Sequence, residues 1–310
     1  PRGEGVIPQG QTSPSPQLGA AADPGGRGPG VPSPYAGRGE GATARPVGKR
    51  VYADVHRRAK NGDGFRITFS MDGEVFGHVN NILELPVKMG DVVFLDVLPI
   101  TFTDDAVELL RRGVAIYYLR RTTLIAKRRE ELKLTKNTKN DVRTLMTIGD
   151  KFRRVDENFL IMRRLVAAHR TLTKTHAQLI NRAKALSEHE RSVLKPAIES
   201  VEEQLRVMAA KIAEEAGRRY PAYDRVVKEL NINTPSAREA LAELMTYVDF
   251  ANSPLRGLKK LLGLYKPIRS KRKKHWRLYN GQLRQALHRL AITYYGTTPN
   301  GRQCWQLIRR

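Results

Sequence analysis

Cysteine is nearly absent: Cys304 stands alone among 310 residues. No disulfide framework and no cysteine-based zinc site can form within one chain, and a reducing compartment is the expected setting. No apolar run approaches the roughly 20 residues that a helical membrane span needs. The opening residues carry no apolar core behind a basic end, so no secretory leader is expected there. These absences point to a soluble intracellular protein with no membrane partner; cytoplasmic placement at the nucleoid is expected only if the partner is DNA. Acids are also scarce, 31 Asp and Glu against 55 Lys and Arg, and none follows Asp249. The net charge of +24 exceeds anything folding needs, and its self-repulsion is relieved by a polyanion. Nucleic acid is the best fit, because neutralising phosphates releases counterions. An anionic membrane surface is the rival.

Residues 1–47 are rich in Gly, Pro, Ser and Ala, as in Pro24-Gly25-Gly26-Arg27-Gly28. Such a segment buries too little apolar surface to offset its ordering entropy and reads as a disordered extension. Residues 48–150 have another pattern. Arg50 to Val55 reads as a strand, and Phe65, Ile67 and Phe69 alternate with polar residues. Met71-Asp72-Gly73-Glu74 is a turn signal, with a third strand at 75–79 and a short helix expected within 81–88. Val92 to Val97 and Val114 to Leu119 read as strands buried on both faces. Between them a helix from Asp104 to Arg112 ends at Gly113. The order strand, strand, strand, helix, strand, helix, strand is that of a ribonuclease H-like, or RuvC-like, mixed α/β sheet.

Residues 121–150 are basic and lack strong periodicity. From Phe152 a helical period is expected, through Val155, Phe159, Met162, Val166, His169, Leu172, His176 and Leu179. His169 and His176 lie seven apart and read as seam residues rather than metal ligands. Ser187 and Glu190 have capping-box spacing. Beyond them Leu194, Ile198, Val201, Leu205, Met208 and Ile212 repeat as a heptad seam. Residues 151–218 are therefore expected to be coiled-coil helices, forming an antiparallel hairpin, a homo-oligomer arm, or both. Pro196 suggests that the second helix starts near it. Residues 219–310 read as a small basic helical domain. Its unopposed cations, with Trp276, Tyr265 and Tyr279 among them, suit a nucleic-acid backbone and its bases.

Phosphodiester chemistry needs charge neutralisation at phosphorus, which a pair of Mg²⁺ ions held by carboxylates supplies. In a ribonuclease H-like sheet the first acid sits on the first strand and the second on the fourth. Asp54 and Asp96 hold those places inside apolar strands, where unpaired charge is costly. A water-exposed or helix-capping aspartate is the plain alternative at each. Asp141, in Thr138-Lys139-Asn140-Asp141, is the candidate third acid.

Three stretches resemble the DEDD-type transposases of the insertion-sequence family numbered one hundred and ten. The first is Asp54 with Gly73-Glu74-Val75-Phe76 and Asn80-Asn81. The second is Leu95-Asp96, the helix to Gly113, and Lys139-Asn140-Asp141. The third is Leu261-Leu262-Gly263-Leu264-Tyr265-Lys266-Pro267, Ser270, and Asn280-Gly281-Gln282-Leu283-Arg284-Gln285-Ala286-Leu287. The resemblance implies a RuvC-like domain, a coiled coil and a carboxyl-terminal transposase domain acting on DNA with a structured guide RNA. It also implies Mg²⁺ on Asp54, Asp96 and Asp141, and Ser270 as the nucleophile. Lys259, Lys260, Lys266, Arg269, Lys271, Arg272, Lys273, Lys274, Trp276, Arg277 and Arg284 become the expected nucleic-acid contacts. Four departures stand against the pattern: Asp96 replaces a glutamate, Thr144 the fourth acid, Lys271 the glycine after the serine, and the hairpin glycines near 232–237 are missing. An active recombinase, a binding module descended from one, and a coiled-coil RNA scaffold all remain open.

Overall fold

Alternation in the first strand sets the architecture. In β1 (Arg50–Arg57) Val51, Ala53 and Val55 turn to one face of the sheet, and Tyr52, Asp54 and His56 to the other. The protein, in a computed structural model, is described over residues 48–57, 64–250, 253–264 and 280–297. Strand β2 (Phe65–Ser70) runs antiparallel to β1, and β3 (Gly77–Val79) antiparallel to β2. On the other side β4 (Val92–Leu95) and β5 (Ala115–Leu119) run parallel to β1. An antiparallel edge strand, β6 (Phe152–Arg154), completes a six-stranded mixed sheet of order β3-β2-β1-β4-β5-β6.

Two parallel neighbours need a crossover, and α1 (Thr103–Arg111) supplies it. Gly113 ends this helix at φ +81°. A Cβ there would come within 2.7 Å of the Met89 side chain. Ala106 and Leu109 of α1 meet Ala53, Leu95 and Ile116 on one face of the sheet. The opposite face carries a ladder of Tyr52, Phe94 and Tyr117, with ring centroids 4.7 and 5.2 Å apart. Beside that ladder α2 (Thr123–Glu131) and α3 (Thr138–Met146) lay Ile125 and Leu145 against Leu119.

Four local expectations are corrected. Residues 121–150 hold α2 and α3, hidden in the sequence because each buries only a few side chains and shows no long stripe. Phe152 belongs to β6 rather than to a helix. The first long helix, α4 (Glu157–Lys184), starts after Asp156, whose carboxylate accepts from Phe159 N at 2.7 Å. The segment expected as a short helix is one 3-10 turn, Ile82–Glu84. Finally α5 (Glu188–Arg219), capped by Ser187 and Glu190, passes through Pro196 unbroken. Pro196 and Ser192, whose carbonyl loses its donor, are both exposed, where water can replace the missing bond.

Helices α4 and α5 pack along one another as a long hairpin, with the heptad seam on the more buried side of α5. At the base of the hairpin Met162, Val166, Ile212 and Ala216 share one core with the remaining helices. These are α6 (Tyr223–Glu229), α7 (Pro235–Tyr247), α8 (Leu255–Leu261) and α9 (Gly281–Thr297). Leu244 of α7 and Leu290 of α9 belong to that core. The sheet is fastened to it by two arginines at the carboxyl end of α7. Arg153 donates to Thr246 O at 3.0 Å and Arg120 to Tyr247 O at 2.8 Å, as cations suit a helix carboxyl terminus. Among the described residues no helix is long and apolar enough to cross a membrane.

Candidate functional site

Parallel register brings Asp54 and Asp96 side by side. Ala53 pairs with Leu95, and Asp96 N donates to Ala53 O at 3.2 Å. Asp96 Oδ1 accepts from Val55 N at 2.8 Å, which turns its carboxyl group toward β1. Both aspartates are buried. Burial raises Asp96 first, the Asp54 charge adds to it, and the group is pushed up to about 8. Asp54 is raised too, by burial and then by the charge of Asp141, while His56 and a hydrogen bond from Asp96 pull it down. Burial and mutual repulsion thus work against two charged carboxylates side by side, and Asp96 is the more strongly raised.

A polar row continues across the same face. Asp54 lies opposite Thr68 in β2, and Thr68 opposite His78 in β3. Thr68 Oγ1 and His78 Nδ1 are 3.1 Å apart. Burial lowers the His78 imidazole below its ordinary range, and the charges of Arg66 and Lys139 lower it further. His56 Nδ1 stands 3.5 Å from Asp54 Oδ2 and has no hydrogen-bond partner of its own. Sequence reading missed His56 and His78, although their two-residue spacing from Asp54 and Phe76 puts each on a definable strand face.

Asp141 sits in the first turn of α3, close enough for its charge to act on Asp54. It does not join the pair directly, because its carboxylate is held by Arg129 of α2. Arg129 fell in the stretch read as basic and aperiodic, and nothing local marked it. Thr144 is fully buried, and its hydroxyl donates to Asn140 O at 2.7 Å. Among the described residues no group of three or more His, Cys, Asp or Glu side chains is set to hold a metal ion. The donor chemistry of Asp54 and Asp96 nevertheless fits one hard divalent cation. Two adjacent buried carboxyl groups with no Lys or Arg partner among the described residues lack positive charge, and hard cations take oxygen ligands.

The rim of this site is cationic. The β2–β3 turn is closed by Asp72 Oδ1, which accepts from Glu74 N and Val75 N at 2.8 and 2.9 Å. Arg143 Nε donates to Gly73 O at 2.7 Å and fastens the turn to α3. Lys139 and Arg143 lie over the Phe76 ring, 5.5 and 5.3 Å from its centroid.

The other expected nucleic-acid contacts divide in two. Lys259, Lys260 and Arg284 are exposed, on α8 and α9. Ser270, Lys266, Arg269, Lys271, Arg272, Lys273, Lys274, Trp276 and Arg277, with Tyr265 and Tyr279, lie outside the described residues. Arg289, expected among the unopposed cations, is instead paired. It donates to Glu239 at 2.6 Å and to Glu243 at 3.1 Å, both on α7. Of the seam histidines, His169 is buried beside Glu239, and His176 meets Glu202 across the hairpin at 3.0 Å. No protein-family model matches the chain, and no curated protein matches it significantly.

Proposed function

We propose that the protein is a transposase-type recombinase that cleaves and exchanges DNA strands through a divalent cation held by Asp54 and Asp96. The observation that carries this reading is the buried pair itself, Asp54 on β1 and Asp96 one residue past the end of β4, short of positive charge. The mixed sheet, with β1 and β4 parallel at its centre, is compatible with the ribonuclease H-like arrangement that the resemblance implies. The charge of +24 supports a polyanionic substrate. Mg²⁺, when bound, would neutralise a phosphate oxygen and activate the attacking hydroxyl. Asp54 and Asp96 would hold the cation, and Lys139 and Arg143, over the Phe76 ring, would be available to a backbone phosphate and a base. Lys259 and Lys260 extend the contact to the helical half. By resemblance the nucleophile is Ser270, with a structured RNA pairing to donor and target.

Two measurements test this. Mg²⁺ should raise the melting temperature of the wild type and leave Asp54→Asn/Asp96→Asn unmoved, and strand cleavage should vanish in that double variant. Equal Mg²⁺ responses would remove the cation site. Separately, Lys259→Glu/Lys260→Glu should weaken nucleic-acid binding and reduce the slope of log affinity against log salt by about two. A second reading is a binding module without cleavage, favoured by the burial of Thr144 and the pairing of Asp141 with Arg129. Salt-dependent binding with no Mg²⁺-dependent product on cognate ends and RNA would select it.

A further inference from the structure

Resting on the cation site proposed above, a second question is what neutralises Asp141. Phosphoryl-transfer sites with two metal ions place them about 4 Å apart, and each ion needs its own set of oxygen ligands. Here the ligands for a second ion are already committed. Asp141 is bound by Arg129, and the two side chains are only 17% and 14% exposed. One turn further along α3, Thr144 is wholly enclosed, its hydroxyl spent on Asn140 O. No neighbouring acid on α3 replaces it: the next acid in the chain, Asp150, is exposed and bonds Lys151 at 2.9 Å. Yet α3, which carries Asp141, packs directly against β1, which carries Asp54.

We propose that the site takes one divalent cation, and that the Arg129 guanidinium, anchored by Asp141, is the fixed positive charge standing in for a second. Such a group never loses its charge and presents a planar fork of donors suited to phosphate oxygens. Held in a mostly buried position, it needs no reorganisation to meet charge developing on a phosphate. The loss of an acid at position 144 is then matched to the presence of Arg129. A second cation would find no ligand there, and the arginine has no need of one.

The test counts Mn²⁺ on the full chain by electron paramagnetic resonance and calorimetry. The wild type should bind one ion per chain. Arg129→Gln frees the Asp141 carboxylate, and should either take up a second ion or hold the first roughly tenfold more tightly. Arg129→Lys keeps the charge and should stay at one ion with wild-type affinity. Asp141→Asn should also still bind one ion, since Asp141 is not its ligand, and it serves as the decisive variant if Arg129→Gln does not fold. Two ions on the wild type, unchanged binding in a folded Arg129→Gln, or loss of the ion in Asp141→Asn would each overturn the proposal. A wild type that binds no Mn²⁺ at all defeats the cation site itself, a different and earlier failure.

Discussion

Among the described residues two pairs of carboxyl groups are buried, one in the sheet and one among the helices, and their surroundings differ. On α7, Glu239 and Glu243 are 0% and 2% exposed and lie one turn apart. Arg289 bonds both, and Arg170 bonds Glu243 at 2.6 Å. His169 Nδ1 approaches Glu239 Oε1 to 3.3 Å, a contact too poorly aligned to be a hydrogen bond. Burial pushes Glu239 up, but His169 and Arg289 together bring it below its ordinary range. Glu243 stays somewhat raised, because burial outweighs Arg170 and Arg289. Asp54 and Asp96 have no Lys or Arg partner among the described residues, only the His56 ring at 3.5 Å. The helical pair comes with its counter-charges, and the sheet pair has no guanidinium or ammonium group of that kind.

The strongest way to break this contrast is to strip the helical pair. Arg289→Met leaves two buried carboxylates facing one arginine, and should cost about 2–4 kcal/mol in urea unfolding. That is the range for breaking a buried pair, discounted because this guanidinium is about a third exposed. An unchanged midpoint would mean that the glutamates are not held as charged groups.

The sheet pair should respond with the opposite sign. The folded-state pKa of Asp96 is raised from 3.8 to about 8. The folded form therefore binds a proton that the unfolded chain releases. That stability is fully present below about pH 4 and is lost as pH rises toward about 8. Asp96→Asn keeps an acceptor for Val55 N without the ionisation. Its unfolding free energy should fall less across that window than that of the wild type and exceed it by about 1–3 kcal/mol at the alkaline end. Parallel pH profiles for the two proteins would contradict a raised Asp96. The smallest expected effect is that of His169→Gln, about 1 kcal/mol, because arginines remain on both glutamates. A loss as large as that of Arg289→Met would make the histidine, not the arginine, the main counter-charge.

The two pairs also differed in how far the sequence revealed them. Asp54 and Asp96 were visible because an aspartate inside Arg50-Val51-Tyr52-Ala53-Asp54-Val55 or Val92-Val93-Phe94-Leu95-Asp96 contradicts its apolar neighbours. Strand alternation then put Asp54 on a definite face. Glu239 and Glu243 looked like any solvated i, i+4 acids on a helix. Their burial depends on Arg170 and Arg289, 73 and 46 positions from Glu243. Arg289 was itself one of many cations in a segment without a single acid after Asp249. The mixed sheet was legible through β5, but β6 was not, since Phe152-Arg153-Arg154 is too short to show a period. Its strand form comes from pairing with Tyr117 to Leu119. Likewise Pro196 reads locally as a break, and packing along α4 overrides it.

The grip of Arg120 and Arg153 on the end of α7 has a mechanical consequence. Both arginines sit at the sheet's β5–β6 edge, and the carbonyls they hold terminate the helix that carries Glu239 and Glu243. A force on α9 would therefore pass through Arg289 into α7, and from there into the strand beside the one leading to Asp96. Any swivel of the helical half away from the sheet has to break these two guanidinium bonds to a helix end.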